Sequence, residues 1–133
     1  MKYFLDTNIC VYFLKGMHRS VAERLVQLHP EQVRIASIVE AELLYGAYRS
    51  ARREENLEAV EQFLLPFEVV SFGEAEAKHY ADIRSKLEAT GDKIGPNDLI
   101  IAATARANDG ILVTNNEREF SRVERLDVDN WVA

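Results

Sequence analysis

The feature that most constrains this chain is an alternation of short apolar runs with longer stretches of helical period. Lys2 to Leu5, Val33 to Ala36, Glu68 to Phe72 and Ile111 to Thr114 read as short buried strands, and Leu126 to Val128 as an edge strand. Between them, helices are expected from the cap-type pair Thr7-Asn8 to Leu14, from Arg19 to Leu28, from Ser37 through Tyr48, and from Glu74 to Ala89. A charged helix carrying Leu57, Val60, Phe63 and Leu64 ends at Pro66, and Asn116 to Phe120 form a helical turn. Gly16, Pro30 and Gly91 supply further stops. Strands that alternate with helices pair in parallel, because each return crosses over through a helix, so the expected fold is α/β with a parallel sheet covered on both faces.

Two helix starts place acidic residues near strand ends. Ser37-Ile38-Val39-Glu40 has the spacing of a capping box and opens the helix that carries Glu42. Gly95-Pro96-Asn97-Asp98 opens the most apolar helix, with proline at its favoured first position and Asp98 in the first turn. In parallel sheets, function gathers at the carboxyl ends of the strands. Asp6 stands at one such end and Thr114 to Asn116 at another, while Glu42 and Asp98 lie on helices that begin just after loops.

The 133 residues, 47% hydrophobic and 29% charged, suit one compact core, so residues 1–133 are taken as a single domain. Repeats, linkers and low-complexity stretches are absent from the sequence. The lone Cys10 excludes an internal disulfide and fits a reducing cytoplasm. An acidic residue, Asp6, falls before any signal-type apolar region could form, and no apolar run approaches the ~20 residues of a membrane span, so a soluble, unprocessed chain is expected. The formal charge of −6 argues against holding nucleic acid by bulk electrostatics. A nucleic-acid enzyme of this charge needs divalent cations in an acidic pocket and a local basic patch beside it.

Asp6, Glu42 and Asp98 are far apart in sequence, and only the fold could unite them. Singly, each has an ordinary reading: Asp6 as a cap or turn residue, Asp98 as a first-turn acid favouring the helix dipole, Glu42 as a solvated helix position. Glu42 is the hardest to dismiss, because Val39, Ala41, Leu43 and Leu44 surround it and a carboxylate among apolar neighbours usually has a partner. If the three converge, their repulsion calls for a cation, and all-oxygen donors select Mg²⁺, with Mn²⁺ as a substitute. Such a site activates water against a phosphodiester. Asp6 and Asp98 are then the direct ligands, and Glu42 a ligand through water or the group orienting the nucleophile.

These residues resemble the PIN-domain ribonucleases, and within them the VapC-type toxins of bacterial toxin–antitoxin pairs. The markers are Leu5-Asp6-Thr7-Asn8, Ser37 to Gly46 (SIVEAELLYG), Gly95 to Ala103 (GPNDLIIAA), Leu112 to Phe120 (LVTNNEREF) and Asn130-Trp131, in this order across nearly the whole chain. The resemblance implies a single PIN-like domain with a doubly wound, mostly parallel sheet of about five strands. It also implies cytoplasmic endonucleolytic cleavage of RNA, Asp6, Glu42 and Asp98 as the acidic triad, a homodimer, and inhibition by a VapB-type antitoxin in a larger hetero-oligomer. Thr114-Asn115-Asn116 with Glu119 looks closest to members that cut initiator tRNA in the anticodon region.

One position departs from the pattern. Many members carry a fourth aspartate where this chain has Asn116, which leaves the choice between one ion and two open; Glu119 is either its replacement or a solvated glutamate. Thr7, Asn8 and Thr114 are candidates to hydrogen-bond the carboxylates or the scissile phosphate. Arg49, Arg52, Arg53, Arg118 and Arg122 are candidates for phosphate contact. Tyr45, Tyr48 and Phe63 are spaced as core or as a dimer contact, and His18, His29 and His79 as surface or packing residues. The rival readings are a PIN-like module that only binds, acting with its antitoxin, and a receiver-like signalling domain. The latter lacks paired acids after the first strand, an aspartate ending the third, and a lysine after the fifth.

Overall fold

In the computed structural model, which describes residues 1–132, the chain runs β1 (Tyr3–Leu5), α1 (Thr7–Leu14), α2 (Arg19–Val26), β2 (Val33–Ala36), α3 (Ser37–Tyr48), α4 (Arg53–Leu64), β3 (Glu68–Val70) and α5 (Glu74–Thr90). It continues through α6 (Pro96–Ala107), β4 (Ile111–Val113), α7 (Glu117–Phe120) and β5 (Asp127–Asp129). A 3₁₀ turn, Pro30–Gln32, leads into β2. Ala133, the last residue of the expected single domain, lies outside the described residues.

The five strands form one sheet in the order β3-β2-β1-β4-β5, and every neighbouring pair is parallel. The order reverses direction at β1. Because parallel crossovers are right-handed, the helices of the β1-to-β3 half cover one face, and those that lead back to β4 and β5 cover the other. This is the doubly wound arrangement, and it opens a crevice at the carboxyl ends of β1 and β4. β1 and β4 are in register from Tyr3 opposite Ile111 to Leu5 opposite Val113. The next residues, Asp6 and Thr114, therefore leave the sheet side by side.

Strand side chains on both faces are buried, as a sheet covered twice requires. Phe4, Leu5, Ile35, Leu112 and Val113 pack with Ile9, Val39, Ile101, Phe120 and Trp131, all at 2% exposure or less. Each such side chain contributes about 1.5–3 kcal/mol on burial. Gly110 is part of this packing: a Cβ there would lie 2.3 Å from the Phe4 ring. Gly91 ends α5 with φ of 77°, a left-handed conformation for which glycine has no Cβ penalty.

Some local expectations hold and others need correction. α1 is capped by Asp6, whose side chain accepts from the Thr7 N–H, so Thr7 and Asn8 lie inside the helix. The Ser37–Glu40 box does not form, since Ser37 is already helical and the N-cap is Ala36. Tyr45 and Tyr48 are exposed, and of that trio only Phe63 joins the core. His79 is a packing residue, accepting at Nδ1 from the buried Arg106, 2.9 Å away. Arg106 also donates to Asp82 at 2.7 Å and to the Glu124 carbonyl at 3.0 Å, which ties α5 to α6. No helix among the described residues is long and apolar enough to cross a membrane.

Candidate active site

Asp6 leaves β1 with both oxygens committed. Oδ1 accepts from the Thr7 N–H at 2.7 Å, and Oδ2 accepts from the Thr114 hydroxyl at 2.7 Å. That hydroxyl in turn accepts from the Asn116 N–H at 2.9 Å. The chain Asn116 to Thr114 to Asp6 fixes the carboxylate's orientation from the neighbouring strand. Burial pushes the Asp6 carboxyl above its ordinary range, against the lowering effect of these two hydrogen bonds, and the charges of Glu42 and Glu119 push in the same direction as burial.

Glu42 faces this group from α3. Its Oε1 accepts from the Thr7 hydroxyl at 2.5 Å and its Oε2 from Asn97 Nδ2 at 3.0 Å. Thr7 thus links two acids, giving its N–H to Asp6 and its hydroxyl to Glu42. The helix period decides this placement: Leu43 and Ala47 turn into the core, which leaves Glu42 at the rim.

Asp98, in the first turn of α6, is the most perturbed acid of the cluster. Burial, a proton shared with Glu119, and the charges of Asp6, Glu119 and Glu42 push its carboxyl up to about 7. Glu119 is also partly desolvated, which acts to raise it. The hydrogen bond from Asp98, together with the Gly95 N–H at 3.1 Å, Asn116 Nδ2 at 2.9 Å and the charge of Arg122, outweighs that and holds Glu119 below its ordinary range. The two carboxyls are thus shifted in opposite directions, Asp98 upward and Glu119 downward.

The structure thus brings Asp6, Glu42, Asp98 and Glu119 to one end of the sheet, with Thr7 and Thr114 bonded among them. Asn116 reaches Glu119 rather than Asp98. Asn8 is exposed and makes no side-chain hydrogen bond among the described residues. Asn97 was not singled out from the sequence, although its place beside Asp98 in the first turn of a helix at the sheet's carboxyl edge was available as a signal. Of the arginines, Arg122 stands near Glu119 and anchors the Lys93 carbonyl at 3.0 Å, while Arg52 is paired with Glu55 at 3.5 Å.

Among the described residues, no three His, Cys, Asp or Glu side chains already surround a common point as a metal's ligands would. The donor set nevertheless fits a hard cation: it is all oxygen, it is fixed by hydrogen bonds at Asp6, and its Asp98–Glu119 contact is held by a proton where an ion could neutralise the same charges.

A PIN-domain family model matches residues 3–126. The chain is 40% identical over 131 residues to the tRNA(fMet)-specific endonuclease VapC of Shigella flexneri, which covers 98% of each sequence. It is 40% identical over 132 residues, 99% of each, to ribonuclease VapC2 of Haemophilus influenzae. The crystal structure of VapBC2 from Rickettsia felis, bound to a DNA fragment from their promoter, has a chain that superposes with a TM-score of 0.93 at 40% identity, covering 98% of this chain and 99% of that one.

Proposed function

The chain belongs to the PIN-domain family, and on that premise we propose that it is the ribonuclease toxin of a VapBC-type toxin–antitoxin pair, a Mg²⁺-dependent endoribonuclease acting in the cytoplasm. The observation that carries the reading is the acidic cluster itself. Four carboxyl side chains gather where β1 and β4 end, and neutral donors from Thr7, Thr114, Asn97, Gly95 and Asn116 hold Asp6, Glu42 and Glu119 there.

Asp6 and Asp98 would hold the ion directly and Glu42 would hold it through water or orient the nucleophile, with Glu119 as the fourth acid in place of the absent aspartate. When bound, Mg²⁺ or Mn²⁺ neutralises the phosphate oxygens and lowers the pKa of a water. The chain's own residues set the geometry. Thr114 and the Thr7 N–H hold Asp6 in one orientation. Thr7 and Asn97 hold Glu42 so that it orients the attacking water and accepts its proton. Gly95 and Asn116 hold Glu119 against Asp98.

The partner is a VapB-type antitoxin, which covers this cluster, and the functional unit is a homodimer that joins the antitoxin in a larger hetero-oligomer. The Rickettsia felis VapBC2 structure supports the antitoxin as partner. The target is initiator tRNA, cut in the anticodon region; the name of the Shigella flexneri relative supports the choice of tRNA. Purified protein with Mg²⁺ should cut initiator tRNA and spare elongator methionine tRNA under the same conditions. Equal cutting of both would overturn the target, and cutting of neither would count against the nuclease itself.

A further inference from the structure

Glu42, Tyr45 and Arg49 follow one another along α3 and its C-cap at spacings of three and four residues, which sets them on one stripe of the helix. At ~1.5 Å rise per residue, Tyr45 is roughly 4.5 Å and Arg49 roughly 10 Å beyond Glu42 along the axis. A stacked strand rises about 3.4 Å along its axis per nucleotide, so this stripe spans a few nucleotides. Tyr45 is 64% exposed, in a chain that buries Phe4, Phe63, Phe120 and Trp131. The Arg49 guanidinium stands 5.7 Å from its ring centroid. Beside it, Tyr48 is 52% exposed with Arg53 5.0 Å from its ring.

Arg49 and Arg53, unlike Arg52, have no carboxylate partner among the described residues. Two arginines without a carboxylate partner thus stack on two exposed aromatic rings, and the first of these rings, Tyr45, lies about one helical turn from Glu42 of the acidic cluster. Single-stranded nucleic acid is held by this combination, with a π-face for the base and a cation for the phosphate.

The geometry points to Tyr45 and Arg49 as a stacking subsite for an unpaired RNA base, within a few nucleotides of the phosphate that lies at the acidic cluster. The inference rests on the ribonuclease reading and deepens it. Stacking requires a base that is free of its own duplex, so the subsite selects loops and single strands over paired RNA.

The test uses a short single-stranded oligoribonucleotide with one cleavage site, and copies of it made abasic at each of the positions flanking that site in turn. Wild type, Tyr45→Phe, Tyr45→Leu and Arg49→Gln are compared with Mg²⁺. Tyr45→Phe keeps the ring and should stay within about twofold of wild type in kcat/KM, whereas Tyr45→Leu should lose about tenfold, mostly in KM. Arg49→Gln should also raise KM and flatten its dependence on salt. At one abasic position, wild type should fall to the level of Tyr45→Leu, and Tyr45→Leu should lose nothing further.

Tyr45→Leu that cuts as well as wild type, or that loses the same factor on every abasic copy, would overturn the subsite while leaving the nuclease intact. A loss of cleavage that accompanies a changed sedimentation coefficient would overturn it too, by making this face a contact with protein. If wild type cuts no RNA, the ribonuclease reading fails, and the subsite fails with it.

Discussion

Burial and the neighbouring Glu119 raise the Asp98 carboxyl, with a consequence for stability. The Asp98 carboxyl, pushed up to about 7, keeps a proton in the folded protein that the unfolded chain, with an ordinary carboxyl, has already released. Metal-free stability therefore falls as pH rises from the ordinary carboxyl range through about 7. Denaturation in EDTA should show a loss of roughly 1 kcal/mol between pH 5.5 and pH 8, a value reduced for the partial exposure of the group. Asp98→Asn should remove that slope and abolish cleavage with the fold retained, and a slope unchanged in the variant would refute the assignment. Thr114 is testable separately. Its hydroxyl gives Asp6 one of two fixed hydrogen bonds, so Thr114→Val should cut kcat/KM by roughly 10–100-fold, while Thr114→Ser should restore most of it. Asp6, Glu42 and Asp98 were legible in the sequence because acids at strand ends and amid apolar residues ask for a partner. Thr7 and Thr114 were legible as donors to the carboxylates, whereas the hydrogen bond from Asn97 to Glu42 was not, since it depends on how α3 and α6 meet.

At the scale of elements, order and type were legible throughout, because the helical period and the short apolar runs are set by burial on two faces of a sheet. Boundaries moved by a few residues, as with the third strand, expected to Phe72 and ending at Val70. Caps were less legible. The Ser37 box fails because the serine is already inside the turn it was expected to cap, and of the cap candidates Asp6, Thr7 and Asn8 it is Asp6 that caps α1. The tie between α5 and α6 was hidden for a similar reason: Arg106 sits in an apolar run, and only packing puts His79 and Asp82 beside it. The close approach of β1 to the turn before β4 is a further element-level feature. Gly110→Ala drives a methyl into the Phe4 ring, itself buried and unable to yield. Urea denaturation should show a loss of about 1–3 kcal/mol, and a neutral variant would mean that the turn relaxes more readily than this packing suggests.

For the whole molecule, the reversal of strand order at β1 is what converts scattered acids into a cluster, since it lets Asp6 and Thr114 emerge side by side with α3 and α6 flanking them. A fold that concentrates negative charge in this way should be stabilised by a divalent cation. At an ion concentration of about 100 times Kd, the linkage gain is ~2.7 kcal/mol. The melting temperature should therefore rise with Mg²⁺ or Mn²⁺ and return with EDTA, whereas no shift at saturating ion would count against a site that binds metal in the folded state. The most direct test of the account is incubation of wild-type and Asp98→Asn proteins with total bacterial RNA, with Mg²⁺ and with EDTA, followed by mapping of new 5′ ends. Discrete ends that appear only with wild type and Mg²⁺ are the predicted result, and identical ends in every lane, or none in any, would contradict it.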